Sequence, residues 1–300
     1  MYHRVGLALV CGLLFVPTVG RAEDGFFDSG GVKIHYLIEG AGEPVLLIHG
    51  FAVNTQLQWG VPGIIKELAK DHRVIAPDCR GHGKSGKPTD PKKYGLEMVE
   101  DAVRLLDHLK IKKAHFVGYS MGALIVGKLV VTHPDRMLSA TFGGGGAFRE
   151  GAEVPRFVVD LTESLEKDNS IRPLILALTP PGKPKPPEQA VAQINRMLVG
   201  DNGKALAAVV RGWKELAVTD EQLKANRVPT LALVGDIDPL KKSVDDLKGR
   251  MAHLQIKVIE GGDHLTAFVK PEFLADLRKF LAEHSRGKKV KEIVPAGAGK

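Results

Sequence analysis

The clearest chemical candidate in the chain is a serine between two glycines, in the sequence Gly118-Tyr119-Ser120-Met121-Gly122. A buried-strand pattern over residues 114–117 precedes this motif, and a helical pattern begins at Met121, so the serine lies at a sharp strand-to-helix turn. Because the turn is so tight, the residues two before and two after the serine must be small. The motif predicts a nucleophilic serine, held in strained backbone geometry, whose hydroxyl projects above the sheet edge.

A serine hydroxyl needs a base to remove its proton, and the base needs an acid to orient it. Two loops further along the chain contain such groups: Gly235-Asp236-Ile237-Asp238-Pro239 and Gly261-Gly262-Asp263-His264. Each loop follows a strand pattern, and reacting groups in open α/β sheets gather at the carboxyl ends of the strands. Of the eleven histidines, His264 is the one in a glycine-rich loop after a late strand. We therefore expect these loops to supply the acid and the base.

The elements that would position these residues alternate between strand and helix. Residues 32–38 have the alternating pattern of a half-exposed strand near an antiparallel edge. Further strands are predicted over residues 44–48, 73–76, 114–117, 137–142, 230–234 and 255–259. Helices are predicted over residues 61–68, 96–109, 121–132 and 271–281. This alternation predicts an α/β fold with a mostly parallel central sheet flanked by helices.

One segment departs from the alternation. Residues 147–227 are helical in pattern, with a proline-rich loop at 180–187 and no convincing strand. We expect a helical cap insertion over the sheet, between core segments 23–146 and 228–285. Its apolar residues would form either a packing face or the wall of a pocket: Leu174, Ile175, Leu178, Met197, Leu198 and Trp213.

Residues 1–22 have the order of a cleaved secretory signal peptide. Arg4 lies in a basic start, residues 5–19 are apolar, and Gly20 and Ala22 are the small residues before a cut. The apolar run is short for a bilayer span, so we expect a secreted or periplasmic protein without stable membrane insertion. Cys79 would then be the remaining cysteine, which excludes an intrachain disulfide.

The net charge of +7 does not indicate a nucleic-acid partner once it is located along the chain. Residues 286–300 carry most of the excess as a basic tail, two arginines lie within residues 1–22, and the rest is close to neutral. Such a tail is typical of a solvated, flexible end. We therefore expect no nucleic acid among the partners.

Taken in order, these motifs resemble the α/β-hydrolase superfamily over residues 25–283. The sequence Leu-Leu-Ile-His-Gly-Phe at 46–51 is similar to that family's strand followed by its oxyanion loop. The sequence Asp-Cys-Arg-Gly-His-Gly-Lys-Ser at 78–85 is similar to its loop after the next strand. His49, Asp78, Arg80 and His82 are expected to shape those loops rather than to react.

The resemblance implies a role for each site residue. Ser120 would attack an acyl carbon, His264 would take its proton and return it to the leaving group, and Asp238 would orient the imidazole. Asp238 is preferred because the family's acid usually stands three residues after the glycine, and Asp236 is the alternative. The backbone N–H groups of Phe51 and Met121 would form the oxyanion hole.

A serine at this turn argues against the haloalkane dehalogenases and soluble epoxide hydrolases, which use aspartate there, and favours attack on a carbonyl. The leading hypothesis is an esterase/lipase-like hydrolase that cleaves a carboxylic ester of a small, partly apolar substrate through an acyl-enzyme. A perhydrolase, a lactonase or a C–C bond hydrolase on the same fold is the alternative. A non-catalytic binding protein is another, against which the intact serine, aspartate and histidine argue.

The sequence contains no phosphate-binding glycine loop after the first strand and no histidines or carboxylates clustered at metal-ligand spacings. We therefore expect no cofactor and no metal. The expected partner is a small-molecule substrate, and the sequence leaves the oligomeric state open.

Overall fold

Eight strands form one sheet in the computed structural model, which describes residues 23–286. They are β1 (Glu23–Ser29), β2 (Val32–Glu39), β3 (Glu43–Ile48), β4 (His72–Pro77), β5 (Ala114–Tyr119), β6 (Met137–Gly143), β7 (Thr230–Gly235) and β8 (Leu254–Ile259). Across the sheet the order is β1-β2-β4-β3-β5-β6-β7-β8. The β1–β2 and β2–β4 pairs are antiparallel, and all other pairs are parallel. The predicted mostly parallel sheet is therefore confirmed.

The burial of each strand follows from its place in the sheet. Every residue of β5 and β7 is buried, because helices cover both faces of the central strands. The outer strand β8 is exposed over much of its length. Strand β1 pairs along its whole length with β2 and buries Phe27, although its sequence carries Asp24, Gly25 and Asp28. Those residues are depleted in strands, so β1 has no strand pattern in the sequence.

Ten α-helices are described within residues 23–286, and five of them flank the sheet or its loops: α1 (Ile64–Leu68), α2 (Leu96–His108), α3 (Met121–Thr132), α9 (Lys241–Asp245) and α10 (Pro271–Glu283). The most central, α3, is buried on nearly every side, as its apolar sequence predicts. The first helix is shorter than the sequence predicts. Gly63, with φ 79°, interrupts the segment, and a π-helical turn over Gln56–Gly60 precedes it.

The other five helices lie between β6 and β7: α4 (Arg156–Asp168), α5 (Arg172–Ala177), α6 (Glu188–Leu198), α7 (Gly203–Gly212) and α8 (Asp220–Ala225). This is the helical insertion that the sequence predicts. Leu161 and Leu165 of α4 and Leu206 of α7 are almost completely buried, so these helices pack on each other as well as on the core. Met197, expected to be buried with the cap's apolar residues, is largely exposed at the end of α6.

Two sequence predictions lie outside the described residues: the signal peptide at 1–22 and, beyond Arg286, the basic tail. Among residues 23–286, none of the helices combines the length and the apolar character needed to span a bilayer.

Candidate active site

Ser120 occupies the turn between β5 and α3 in a backbone conformation that few residues adopt. Its φ of 54° and ψ of −113° lie outside the common allowed regions, so the turn holds local strain. The turn closes so tightly that a Cβ on Gly118 would overlap the backbone of Gly122. A Cβ on Gly122 would overlap the carbonyl oxygen of Ile48 in β3. Both glycines are therefore required for the serine to be presented at the sheet edge.

Ser120, His264 and Asp238 form a continuous chain of hydrogen bonds. Nε2 of His264 lies 2.9 Å from Oγ of Ser120. Nδ1 of His264 lies 2.9 Å from Oδ2 of Asp238 and 3.2 Å from Oδ1. With Nδ1–H donating to the carboxylate, the lone pair of Nε2 faces the serine hydroxyl. The three groups are therefore placed for removal of the Ser120 proton.

The carboxylate of Asp238 is held in place by a backbone hydrogen bond, and Asp236 makes no hydrogen bond with the histidine. Oδ1 of Asp238 accepts the backbone N–H of Leu240 at 2.8 Å, and Asp238 is 4% exposed. Asp236, two residues earlier on the loop, is exposed and has no hydrogen bond to His264. The structure therefore places Asp238, and not Asp236, against the imidazole.

Tyr119 supports the histidine loop, a contact that the sequence motif did not reveal. Its hydroxyl donates to the backbone carbonyl of His264 at 2.8 Å. Its ring packs against Trp59, Phe268 and Phe273, and burial raises the pKa of the phenol well above its ordinary value. Tyr119 therefore remains a hydrogen-bond donor and ties β5 to the loop after β8.

Phe51 and Met121 line the cavity beside Ser120. Their backbone N–H groups have no hydrogen-bond acceptor within residues 23–286. The loop carrying Phe51 lies directly against the serine, since a Cβ on Gly50 would be 3.4 Å from Cβ of Ser120. Two free N–H groups beside a nucleophile can stabilise an oxyanion, and one such donor commonly contributes about 3 kcal/mol to the transition state.

His49 and Asp78 hold the loop after β3 against the loop after β4. Nδ1–H of His49 donates to the carbonyl of Gly50 at 2.7 Å, and Nε2 accepts the backbone N–H of Cys79 at 2.9 Å. The carboxylate of Asp78 accepts the backbone N–H of Thr55 at 2.9 Å. These bonds fix the loop that presents the Phe51 N–H without bringing His49 or Asp78 to the serine.

Arg80 and His82 stabilise the second loop. Arg80 is fully buried and donates two hydrogen bonds of 2.6 Å to the carboxylate of Asp101. Nδ1 of His82 bonds the carbonyl of Arg80 at 3.0 Å, and its ring packs edge-on against Phe51. Burial lowers the pKa of His82 to about 3, so its ring is neutral at physiological pH.

A cavity of about 350 Å³ opens over Ser120 between the core and the cap. Its wall is mostly apolar, and both parts of the chain contribute. The core side includes Phe51, Met121, Leu124, Leu240 and Phe268, and the cap side includes Phe157, Val158, Leu174, Leu178, Val210 and Trp213. Leu174, Leu178 and Trp213 are therefore pocket-wall residues, one of the two roles that the sequence left open for them.

The described residues offer no evident metal site. Within residues 23–286, no group of three or more His, Cys, Asp or Glu side chains could hold a metal ion. Cys79 is buried, and burial raises the pKa of its thiol, which keeps it protonated. The absence of a cofactor stays a prediction.

The known proteins to which the chain is similar include hydrolases. A model of the alpha/beta hydrolase fold matches residues 43–174. The 2-hydroxymuconate semialdehyde hydrolase of Pseudomonas sp. (strain CF600) is 37% identical over 123 residues, which are 40% of this chain and 41% of that protein. The match therefore spans about two fifths of this relative's length.

Solved structures match over most of the chain. The enol-lactonase from Burkholderia xenovorans LB400 has a TM-score of 0.72 at 22% identity, covering 86% of this chain and 100% of its own. A thermophilic esterase from Thermogutta terrifontis has a TM-score of 0.70 at 22% identity, covering 88% of this chain and 99% of its own. The sheet order, the helical insertion and these structural matches agree, and the chain has the α/β-hydrolase fold.

Proposed function

We propose that this protein is a serine hydrolase that cleaves carboxylic esters of small, partly apolar acids. The observation that carries the proposal is the hydrogen-bonded chain of Ser120, His264 and Asp238, which opens into a largely apolar cavity. A nucleophile with a base and two unpaired N–H groups suits attack on a carbonyl carbon. The apolar wall suits an acyl chain or a ring, because its burial gives about 25 cal/mol per Å².

The first half of the reaction forms an acyl-enzyme. Oγ of Ser120 attacks the ester carbonyl carbon while Nε2 of His264 takes the hydroxyl proton. The carbonyl oxygen becomes an oxyanion beside the N–H groups of Phe51 and Met121. When the intermediate collapses, the ester C–O bond breaks and the imidazolium gives its proton to the leaving alkoxide. Asp238 stabilises the positive charge on His264 between these two proton transfers.

The second half regenerates the enzyme with water as the nucleophile. His264 takes a proton from water as it attacks the acyl carbon, and a second oxyanion forms at the same N–H groups. Collapse breaks the bond between the acyl carbon and Oγ of Ser120, and His264 returns the proton to that oxygen. The products are an alcohol and a carboxylic acid.

Cleavage of a C–C bond next to a carbonyl is the second candidate. The similarity to 2-hydroxymuconate semialdehyde hydrolase favours it, and the esterase and lactonase folds are equally compatible with ester cleavage. The apolar cavity wall favours the ester. Among the described residues that line the cavity, Lys214 is the one lysine, arginine or carboxylate side chain, and it is exposed.

The test is hydrolysis of p-nitrophenyl esters from acetate to laurate by the wild-type protein and by Ser120→Ala. We expect kcat/KM to fall by about 10⁴–10⁶ in Ser120→Ala. The matched control is Ser243→Ala, a serine of the same cavity wall without a bond to His264. It loses the bond to the Leu240 carbonyl and the bond from the Gly146 N–H, so its kcat/KM should stay within about tenfold of wild type. Because the cavity is at the small end for ligand pockets, laurate should be a poorer substrate than butyrate. Equal activity of wild type and Ser120→Ala, or no turnover by folded wild type at any chain length, would refute the proposal.

A further inference from the structure

The turn that follows the oxyanion loop has an unusual geometry. Residues Gln56–Gly60 form a π-helical turn, closed by the bond from the N–H of Val61 to the carbonyl of Gln56 at 2.8 Å. Such turns are rare and frequently occur at functional sites. This one directs two consecutive side chains inward: Gln58 is 5% exposed and Trp59 is completely buried. Gln56 and Leu57 are exposed, and Leu57 also borders the cavity.

The inward amide of Gln58 lies next to the serine. A Cβ placed on Gly50 would be 3.3 Å from Oε1 of Gln58 and 3.4 Å from Cβ of Ser120. The amide and the serine therefore flank the same point of the oxyanion loop. Gln58 also lines the cavity that opens over Ser120.

The amide has no protein partner to account for its burial. Within residues 23–286, no hydrogen bond joins the side chain of Gln58 to another group, although its backbone N–H donates to Asn54. The amide atoms are not among the fully shielded, unpartnered polar atoms of residues 23–286, so they reach the open space of the cavity, where a bound molecule can pair with them. The surrounding wall is mostly apolar, so Gln58 is a polar group directed at the cavity and not at the protein.

We propose that Gln58 determines specificity by hydrogen-bonding a substrate oxygen close to the scissile carbonyl. The substrate class is then esters of acids with an ether or hydroxyl oxygen on the α-carbon, two bonds from the carbonyl carbon. The carboxamide NH₂ donates to that oxygen while Ser120 attacks the carbonyl. This inference rests on the proposed ester hydrolysis and adds a preference to it.

The experiment compares two esters that differ by one atom. p-Nitrophenyl methoxyacetate has an oxygen where p-nitrophenyl butyrate has a CH₂ group, and each rate is divided by that ester's rate with hydroxide. The variants are Gln58→Met, which keeps an unbranched side chain without donors, and Gln58→Leu as a second apolar replacement. Gln56→Met is the matched control, since it makes the same change on an exposed side chain of the same turn.

We expect wild type and Gln56→Met to prefer methoxyacetate in corrected kcat/KM by roughly fivefold to tenfold, the value of one hydrogen bond. In Gln58→Met and Gln58→Leu that preference should disappear while butyrate hydrolysis is retained, which also shows that the variants fold. An unchanged methoxyacetate-to-butyrate ratio in both Gln58 variants would refute this inference alone. An equal fall for both esters would also refute it. If the wild-type protein showed no Ser120-dependent turnover of either ester, the proposed function would fail and this inference with it.

Discussion

Replacement of Asp238 by asparagine tests whether this buried carboxylate orients His264 for proton transfer. Oδ1 of Asp238 accepts the N–H of Leu240 at 2.8 Å, and Oδ2 accepts Nδ1–H of His264 at 2.9 Å. If the amide oxygen of the variant keeps the bond to Leu240, its NH₂ group replaces Oδ2. Two donors would then face each other, and the imidazole avoids this by carrying its proton on Nε2. In that tautomer His264 cannot accept the proton of Ser120.

The expected fall in kcat/KM follows from the two contributions to catalysis that the substitution removes. Proton transfer by a positioned base contributes about 10²–10⁴-fold to the rate. The variant also removes the buried negative charge beside the imidazolium that forms during the reaction. The same change in a serine protease triad lowers kcat by about 10⁴. We therefore expect kcat/KM of Asp238→Asn to fall by about 10³–10⁴, which corresponds to about 4–5.5 kcal/mol of transition-state stabilisation.

The assay is hydrolysis of p-nitrophenyl butyrate, with thermal unfolding measured in parallel to show that the variant is folded. The matched control is Asp236→Asn, the same substitution on an exposed carboxylate two residues away. It should leave kcat/KM unchanged within about twofold, since a surface substitution of this kind rarely matters. A loss of less than tenfold in Asp238→Asn, or an equal loss in Asp236→Asn, would show that the reasoning is wrong.

Three further predictions concern stability. Gly122→Ala should lower the free energy of unfolding by about 3 kcal/mol, because its Cβ would overlap a carbonyl oxygen of β3; urea unfolding would measure this. Arg80→Met should lower the free energy of unfolding by about 3–5 kcal/mol, because it leaves the Asp101 carboxylate buried without its partner. Arg156→Met, which breaks an exposed ion pair, should lower it by less than about 1 kcal/mol in the same titration. Burial lowers the pKa of His115 to about 4, so below pH of about 6.5 the unfolded chain binds a proton that the folded chain does not. The melting temperature should therefore fall as the pH falls from about 6.5 to 4, and less steeply in His115→Gln; a slope equal to that of wild type would contradict this.

The sequence predicts the central part of the fold well because burial on both faces leaves a clear pattern. Strands β3 to β7 are short apolar runs, and α3 is found over the predicted residues 121–132. Prediction is weaker where local pattern and tertiary contact disagree. The edge strand β1 is polar and is held mainly by its pairing with β2. The π-helical turn at 56–60 depends on the inward packing of Gln58 and Trp59, which a helical period cannot indicate.

The predicted site residues meet in the structure because strand ends converge, and this follows from topology. Ser120 after β5, Asp238 after β7 and His264 after β8 all lie at the same edge of a parallel sheet. Tyr119 and Gln58 could not be predicted in the same way. Their roles depend on which side of a turn faces the cavity, and neither residue type at that position identifies a contact. Residues 1–22 as a signal peptide and the resulting secretion stay predictions.

The site residues and the cavity wall come from different parts of the chain. The family match at 43–174 contains the turn of Ser120 and the loop of Phe51, but Asp238 and His264 lie beyond it. All four lie at the same edge of the sheet, outside the insertion between β6 and β7. Much of the apolar cavity wall belongs to that insertion, whose later part, including Val210 and Trp213, is also outside the match. Chain-length preference should therefore depend on the cap, whereas preference beside the carbonyl should depend on the core residue Gln58.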